Sequence, residues 1–308
     1  MQFERAVSVE HVQKNYGKFR AVDDLTFEVH GGEIFAMLGP NGSGKTTTIR
    51  MILDILKPDT GQIRVLGGPL TEATKMRIGY LPEERGLYRN VPVLDVMIYL
   101  GRLKGLSGDE ARQRSLALLQ QLELDEFSRK KVSELSKGMQ QKVQFAVTVL
   151  HQPDLIIIDE PFSGLDPVNT LVIKRLLTDL RSRGCAIIMS THQMQQVEEM
   201  ADRLLMISNG QQKLYGSVQD IREQFALHAI IVEGQGDWGK LPGVVSVEPA
   251  ANGNGHGADR ALLRLDDQTA PGDVLAAIAA SGDMHVRRFE EAVPGLNDIF
   301  IQVAEGAH

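Results

Sequence analysis

Hydrophobic and polar positions repeat in two registers along this chain, and the register changes several times. Val7–Val9 and Leu25-Phe27-Val29 follow a period of two, Ile34–Leu38 is wholly apolar, and Ile63–Val65 follows Gly61; all four predict strands. Between residues 92 and 150 the period lengthens to that of a helix, with Leu94, Ile98, Leu100 and Leu103, then Leu116, Leu118, Leu119 and Leu122. Ser107-Gly108-Asp109-Glu110 opens the second run as a capping box. Strand and helix then alternate: strand 155–159, helix 168–182, strand 185–190, helix 193–200 and strand 204–208. Asn209-Gly210 turns tightly into Lys213–Tyr215. This alternation predicts an α/β fold, with a mixed, largely parallel sheet flanked by helices and a helical insertion.

After a short helix at Val218–Phe225 the pattern restarts. Ile230–Val232, Val244–Val247, Leu262–Leu265 and His285–Phe289 predict strands, and Val274–Ala280 predicts a helix. A closing helix carries Leu296, Ile299, Phe300 and Val303 at i, i+3, i+4, i+7, a stripe that suits the core of a small α+β domain. The expected division is a first domain over 1–222, with the helical insertion at about 89–150 as a subdomain, and a small C-terminal domain over 223–308. Asn252–Gly257 reads as a flexible loop, and its His256 has no companion ligand for a metal.

Charge sharpens that division. The 308 residues carry a net charge of −7. Residues 1–225 hold 28 basic and 28 acidic side chains, whereas 226–308 hold 5 and 12. Neither part clusters Lys and Arg as a duplex-binding surface needs, so no nucleic-acid partner is expected. No apolar run approaches the ~20 residues of a membrane helix, and Met1–Val9 is too charged for a secretory signal. The one cysteine, Cys185, cannot form an internal disulfide and lies in an apolar strand, as expected of a core residue in a reducing compartment.

Chemistry is concentrated in Gly39-Pro40-Asn41-Gly42-Ser43-Gly44-Lys45-Thr46, which runs from the apolar strand 34–38 into Thr47–Leu53. Its glycines let successive amides and a helix N-terminus converge on one anion. Lys45 supplies charge for the β- and γ-phosphates of a nucleoside triphosphate, and Thr46 a hydroxyl for Mg²⁺. A second group follows Leu155–Ile158. Asp159 can hold Mg²⁺ through water, and Glu160 can take a proton from water attacking the γ-phosphorus. Ser163-Gly164-Leu165-Asp166 comes next, and the strand ending at Ser190 delivers Thr191-His192, where the imidazole can reach the γ-phosphate.

One further segment, Leu135-Ser136-Lys137-Gly138-Met139-Gln140-Gln141, places Ser136 91 residues after Lys45 and 23 before Asp159. With it, residues 5–220 resemble the ATPase subunits of ABC transporters, a branch of the P-loop NTPases. The resemblance implies that ATP and Mg²⁺ bind, with Tyr16 stacked on adenine (Phe19 is the substitute) and Gly39, Pro40, Asn41, Gly42, Ser43, Gly44, Lys45, Thr46 and Thr47 around the phosphates. Lys45, Glu160 and His192 would be catalytic, and Thr46, Glu83 and Asp159 would address the metal. Ser136 and Gly138 would meet the ATP of the opposing subunit, and Asp166 would cross the dimer interface. A homodimer or paired ATPase subunit is implied, joined to a separate integral-membrane permease at the cytoplasmic face of the membrane. The chain departs from the family in having Glu83 in place of Gln, and Lys137 and Met139 in place of Gly and Gln. Those departures, in Pro82–Tyr88 and Leu135–Lys142, resemble the sodium-efflux type of exporter ATPase. Gly295–Phe300 is similar to the closing helix of the small C-terminal domain that such proteins often carry.

Two rivals fit less well. An ABC ATPase acting on nucleic acid or the ribosome would bring paired cassettes, a long coiled coil or a basic surface, and the sequence has none of these. A P-loop kinase or GTPase lacks the signature loop and the stacking aromatic.

Overall fold

The computed structural model describes residues 4–84, 86–249 and 260–304; Arg85 and His256 lie outside them. The chain divides into two compact units, Met1–Val218 and Gln219–His308.

Two long strands open the first unit, β1 (Arg5–Tyr16) and β2 (Phe19–His30), paired antiparallel as far as Tyr16 and Phe19. The ladder outruns the apolar alternation because register shifts between Val9 and Asn15 break the period of two. β3 (Ile34–Leu38), buried at every position, leads through the phosphate loop into α1 (Lys45–Ile52). β4 (Thr60–Val65) joins β1 and completes a three-stranded sheet in the order β2-β1-β4. A four-residue α2 (Glu72–Lys75), too short to show a period, precedes β5 (Ile78–Leu81).

The helical insertion comprises α3 (Val93–Leu103), α4 (Gly108–Gln121) and α5 (Lys137–Val149). Ser107 Oγ accepts from the Glu110 amide at 3.2 Å, and the Glu110 carboxylate accepts from the Ser107 amide at 3.1 Å. That reciprocal cap satisfies two otherwise orphaned donors and contributes about 1 kcal/mol to α4.

The chain then returns to strand and helix through β6 (Leu155–Asp159), α6 (Pro167–Ser182), β7 (Ala186–Ser190), α7 (Met194–Met200), β8 (Arg203–Ser208) and β9 (Gln211–Ser217). Six strands form one sheet in the order β5-β6-β7-β3-β8-β9, parallel except for β9. β6 and β7 are buried at every position and apolar up to their last residues, Asp159 and Ser190, as suits inner strands of a parallel sheet. Phe27 of β2 stacks on Phe35 of β3 with ring centroids 5.5 Å apart. Val9, Leu25, Ile157, Ile188 and Leu205 belong to the same buried cluster. Cys185 is buried just before β7, and burial pushes its thiol up to about 12, so it is inert. Among the described residues no helix is long and apolar enough to cross a membrane.

α8 (Val218–Gln224) spans the division. The second unit holds β10 (Ala229–Gln235), β11 (Val244–Pro249), β12 (Arg260–Leu265), α9 (Pro271–Ser281), β13 (His285–Glu291) and α10 (Leu296–Ala304). Its strands form an antiparallel sheet in the order β11-β12-β10-β13. Ile230, Val232 and Leu263 pack against Val274 and Ile278 of α9 and against Trp238. In α10, Leu296 and Ile299 are buried and Phe300 and Val303 half-buried, but none belongs to that cluster. The stripe is thus buried as its periodicity predicts, apart from the cluster that α9 forms with the sheet.

Candidate functional site

The strand order assembles the site. β6, β7 and β3 are neighbours and parallel, so their C-terminal ends deliver Asp159-Glu160, Thr191-His192 and the phosphate loop side by side. That edge of an open α/β sheet is where ligands bind. A cavity of about 480 Å³ lies there, lined by the loop from Gly39 to Thr47 except Ser43, by Tyr16 and Phe19, and by Glu83, Asp159, Glu160 and His192.

Backbone geometry shapes the loop. Gly39, Gly42 and Gly44 have φ of +148°, +78° and +114°. A Cβ on Gly39 would stand 2.1 Å from the Ile207 carbonyl oxygen, and one on Gly44 2.5 Å from that of Ala21. No larger residue fits at either position. Lys45 Nζ donates to the carbonyls of Gly39 at 2.7 Å and Pro40 at 3.1 Å. Burial lowers its pKa, while Asp159, Glu160 and Glu83 pull it back up. Ser43 Oγ is buried among the loop amides and makes no hydrogen bond in the structure. An unpaired buried hydroxyl costs free energy, so the loop holds an unsatisfied polar group beside the cavity. The loop therefore fits a phosphate on its own geometry.

Burial also raises the Asp159 carboxyl, and the neighbouring carboxylates of Glu83 and Glu160 raise it further. A divalent cation would offset that repulsion, and Thr46, Asp159 and Glu83 face one cavity with the oxygen donors it prefers. Yet among the described residues no group of three His, Cys, Asp or Glu is arranged to hold a metal unaided. This donor set fits Mg²⁺ that brings phosphate oxygens with it, the usual condition for this ion.

Glu160 is the most constrained residue of the site. It sits at φ +53°, a conformation that costs about 1 kcal/mol for a residue with a Cβ. Its amide donates to the Ser190 carbonyl at 2.8 Å. Its carboxylate accepts from the His192 amide at 3.1 Å and Thr191 Oγ1 at 3.2 Å, and lies 2.6 Å from His192 Nδ1. Thr191 carries no motif of its own; only the pairing of β6 with β7 reveals it.

Four residues expected at the nucleotide do not line this cavity: Ser43, buried within the loop, and Ser136, Gly138 and Asp166. Ser136 caps α5, its Oγ accepting from the Met139 amide at 3.2 Å. Gly138 lies in the first turn of that helix, and a Cβ there would stand 3.8 Å from the Gly164 carbonyl oxygen. Asp166 caps α6 and accepts from the Asn169 amide at 2.9 Å, which lowers its pKa. The cavity thus gathers most of the residues expected at the phosphates, the metal and the attacking water without the signature loop. Tyr16 and Phe19 both border it and are 47% and 61% exposed, so either ring is free to stack on a base.

Fold and cavity together define a P-loop nucleoside triphosphatase. The family described as "ABC transporter" matches residues 22–163, and "ATP-binding protein DrrA1-3-like, C-terminal domain" matches 216–304. The ABC transporter ATP-binding protein YhaQ of Bacillus subtilis is 37% identical over 96% of this chain and 97% of its own length. The Nod factor export ATP-binding protein I of Paraburkholderia xenovorans is 37% identical over 70% of this chain and 71% of its own. Among solved structures, an ATP-binding subunit of an ABC transporter is similar with a TM-score of 0.67 and 32% identity, over 71% of this chain and 93% of that one. The chain belongs to the ATP-binding proteins of ABC transporters, and its class of activity is ATP hydrolysis coupled to transport.

Proposed function

We propose that this chain is the ATPase subunit of an exporter, working as a pair around two ATP molecules and driving a separate membrane permease from the cytoplasmic face. One observation carries the reading: phosphate loop, Asp159, Glu160 and His192 share a cavity from which Ser136, Gly138 and Asp166 are absent. Each chain therefore holds two half-sites. A second subunit completes each one, its Ser136 and the amides about Gly138 presenting a helix N-terminus to the γ-phosphate.

Within one half-site, Tyr16 stacks on the base and the amides from Gly39 to Thr47 hold the phosphates. Lys45 turns from its loop carbonyls to the γ-phosphate. Thr46 and Asp159, with Glu83, hold Mg²⁺, which when bound neutralises charge on the β- and γ-phosphates. Glu160 accepts the proton of the attacking water, and His192 positions Glu160 and reaches the γ-phosphate. The first unit acts as the ATPase, with α3 to α5 as its helical subdomain, and the second as an accessory domain. Tyr88 and Tyr99, edge to face at 5.8 Å and half exposed, offer the permease an aromatic surface on the insertion. Export is supported by similarity to the Nod factor export ATP-binding protein.

Light scattering on Glu160→Gln tests the pairing. With the base removed and phosphate contacts kept, ATP should convert the monomer to a dimer, and ADP should not. A monomer at saturating ATP would overturn the composite site.

A further inference from the structure

Tyr16 borders the cavity from the tip of a hairpin, where β1 turns through Gly17-Lys18 into β2 and Tyr16 pairs with Phe19. A half-exposed ring at such a tip binds a base best when the backbone beneath it is already fixed, since little freedom is then lost on binding. The pairing of β1 with β4 does not reach that far: it ends at Gln13 and Thr60. On the β2 side the register shifts between Val12 and Lys14 and again between Lys14 and Asn15. Asp59, the residue just before β4, takes over where the ladder stops. Its amide donates to the Gln13 carbonyl at 2.9 Å. Its carboxylate accepts from the Asn15 amide at 2.7 Å, from Asn15 Nδ2 at 3.1 Å and from Lys14 Nζ at 2.7 Å. Lys14 Nζ also donates to the Lys57 carbonyl at 2.8 Å. Backbone and side chain of the residue preceding Tyr16 are thus tied to one carboxylate that does not itself line the cavity.

We propose that Asp59 is a positioning residue for the nucleobase: it fixes the end of β1 so that Tyr16 presents its ring to the base of the bound nucleotide. This rests on the nucleotide reading of the cavity and decides between the two rings that border it. The carboxylate grips the neighbour of Tyr16, whereas Phe19 lies across the turn. Both Asn15 donors meet one oxygen, which sets the Asn15 backbone and so the direction in which the chain enters Tyr16. The acceptor is charged, and such bonds are roughly twice as strong as neutral ones. Because Asp59 stands outside the phosphate loop and the cavity, its effect falls on the base and not on the phosphates.

Calorimetric titration of the full chain with ATP and with inorganic tripolyphosphate, both in Mg²⁺, separates base from phosphates without reference to turnover. Wild type should bind ATP the more tightly. Tyr16→Ala should weaken ATP about tenfold and Asp59→Ala about fivefold, and neither should change tripolyphosphate by more than about twofold. The double variant should bind ATP no more weakly than Tyr16→Ala alone, since the clamp then has no ring to place. Three results would overturn the role of Asp59 and leave the nucleotide reading standing: wild-type ATP affinity in Asp59→Ala, an equal loss on tripolyphosphate, or additive losses in the double variant. ATP binding unmoved by Tyr16→Ala overturns the stacking of Tyr16 and the clamp with it. Failure of wild type to bind ATP overturns the nucleotide reading as a whole.

Discussion

Glu160 Oε1 lies 2.6 Å from His192 Nδ1, which links the carboxylate beyond β6 to the imidazole beyond β7. A carboxylate only accepts, so Nδ1 carries the proton and the other ring nitrogen is left for solvent or substrate. With Thr191 Oγ1 and the His192 amide, the imidazole holds Glu160 in its left-handed backbone geometry. His192→Ala should therefore lower ATP turnover by about 10²-fold, the scale of general-base catalysis, since base and γ-phosphate contact are disturbed together. Nucleotide affinity should stay within about threefold, because the phosphate loop is untouched. Steady-state hydrolysis beside an ATP titration gives both numbers. Wild-type turnover would show that the pair is a resting contact without catalytic weight.

Much of this site is written in contiguous sequence. The phosphate loop is one uninterrupted segment whose flanking strand and helix are visible from local pattern, and Leu155–Ile158 announces Asp159-Glu160 in the same way. Nothing local says that β6 lies beside β7, which brings His192 to Glu160, or that β3 lies between β7 and β8, which sets the phosphate loop beside them. The grip of Thr191 on Glu160 follows from the β6–β7 register and was invisible for the same reason. Period-two reading also shortened β1 and β2, since bulges reset the alternation. The α10 stripe shows the opposite limit: periodicity identifies a face that becomes buried, not what buries it.

Complementation separates a shared site from an internal one. Ser136→Arg should abolish turnover and leave ATP binding by the single chain intact if, as proposed, its helix cap serves the nucleotide of the other subunit. Lys45→Ala removes the phosphate charge and should weaken binding itself. Mixed in one dimer, the two changes gather in one composite site and leave the other free of both. Activity should then return to a measurable fraction of wild type in the ATPase assay. Proven heterodimers without any recovery would mean that one intact site cannot turn over alone, or that each site is built within one chain.

Acid should expose a buried imidazole elsewhere in the first unit. Burial pushes His151 down to about 4, helped by the charges of Lys104 and Arg114. Its Nε2 lies 3.2 Å from the Ile78 carbonyl oxygen, and its Nδ1 is buried without a partner. The unfolded chain, with an ordinary histidine pKa near ~6.5, binds the proton more readily than the folded one. Stability from the neutral ring is therefore complete above about pH 6.5 and is lost as pH falls toward 4. Between pH 6.5 and 5 the loss should reach about 2 kcal/mol. Urea midpoints of wild type and His151→Gln across that range test it: the mutant should lack this part of the slope. Parallel curves would mean that the ring is solvated in the native state.

The second unit can be removed as a test of which residues make the catalytic body. Every residue lining the nucleotide cavity falls between Tyr16 and His192, and the sheet that carries them closes with β9 at Ser217. The second unit has its own cluster around Ile230, Val232, Leu263, Val274 and Ile278, a core that owes nothing to the phosphate loop. Residues 226–308, within it, carry 5 basic and 12 acidic side chains and so the imbalance of charge. A chain ending at Arg222 should fold, melt cooperatively and bind ATP within about threefold of the full protein, since no phosphate or base contact is deleted. Circular dichroism and nucleotide titration on the same sample decide the matter. A folded fragment that has lost ATP binding would place the second unit inside the catalytic body.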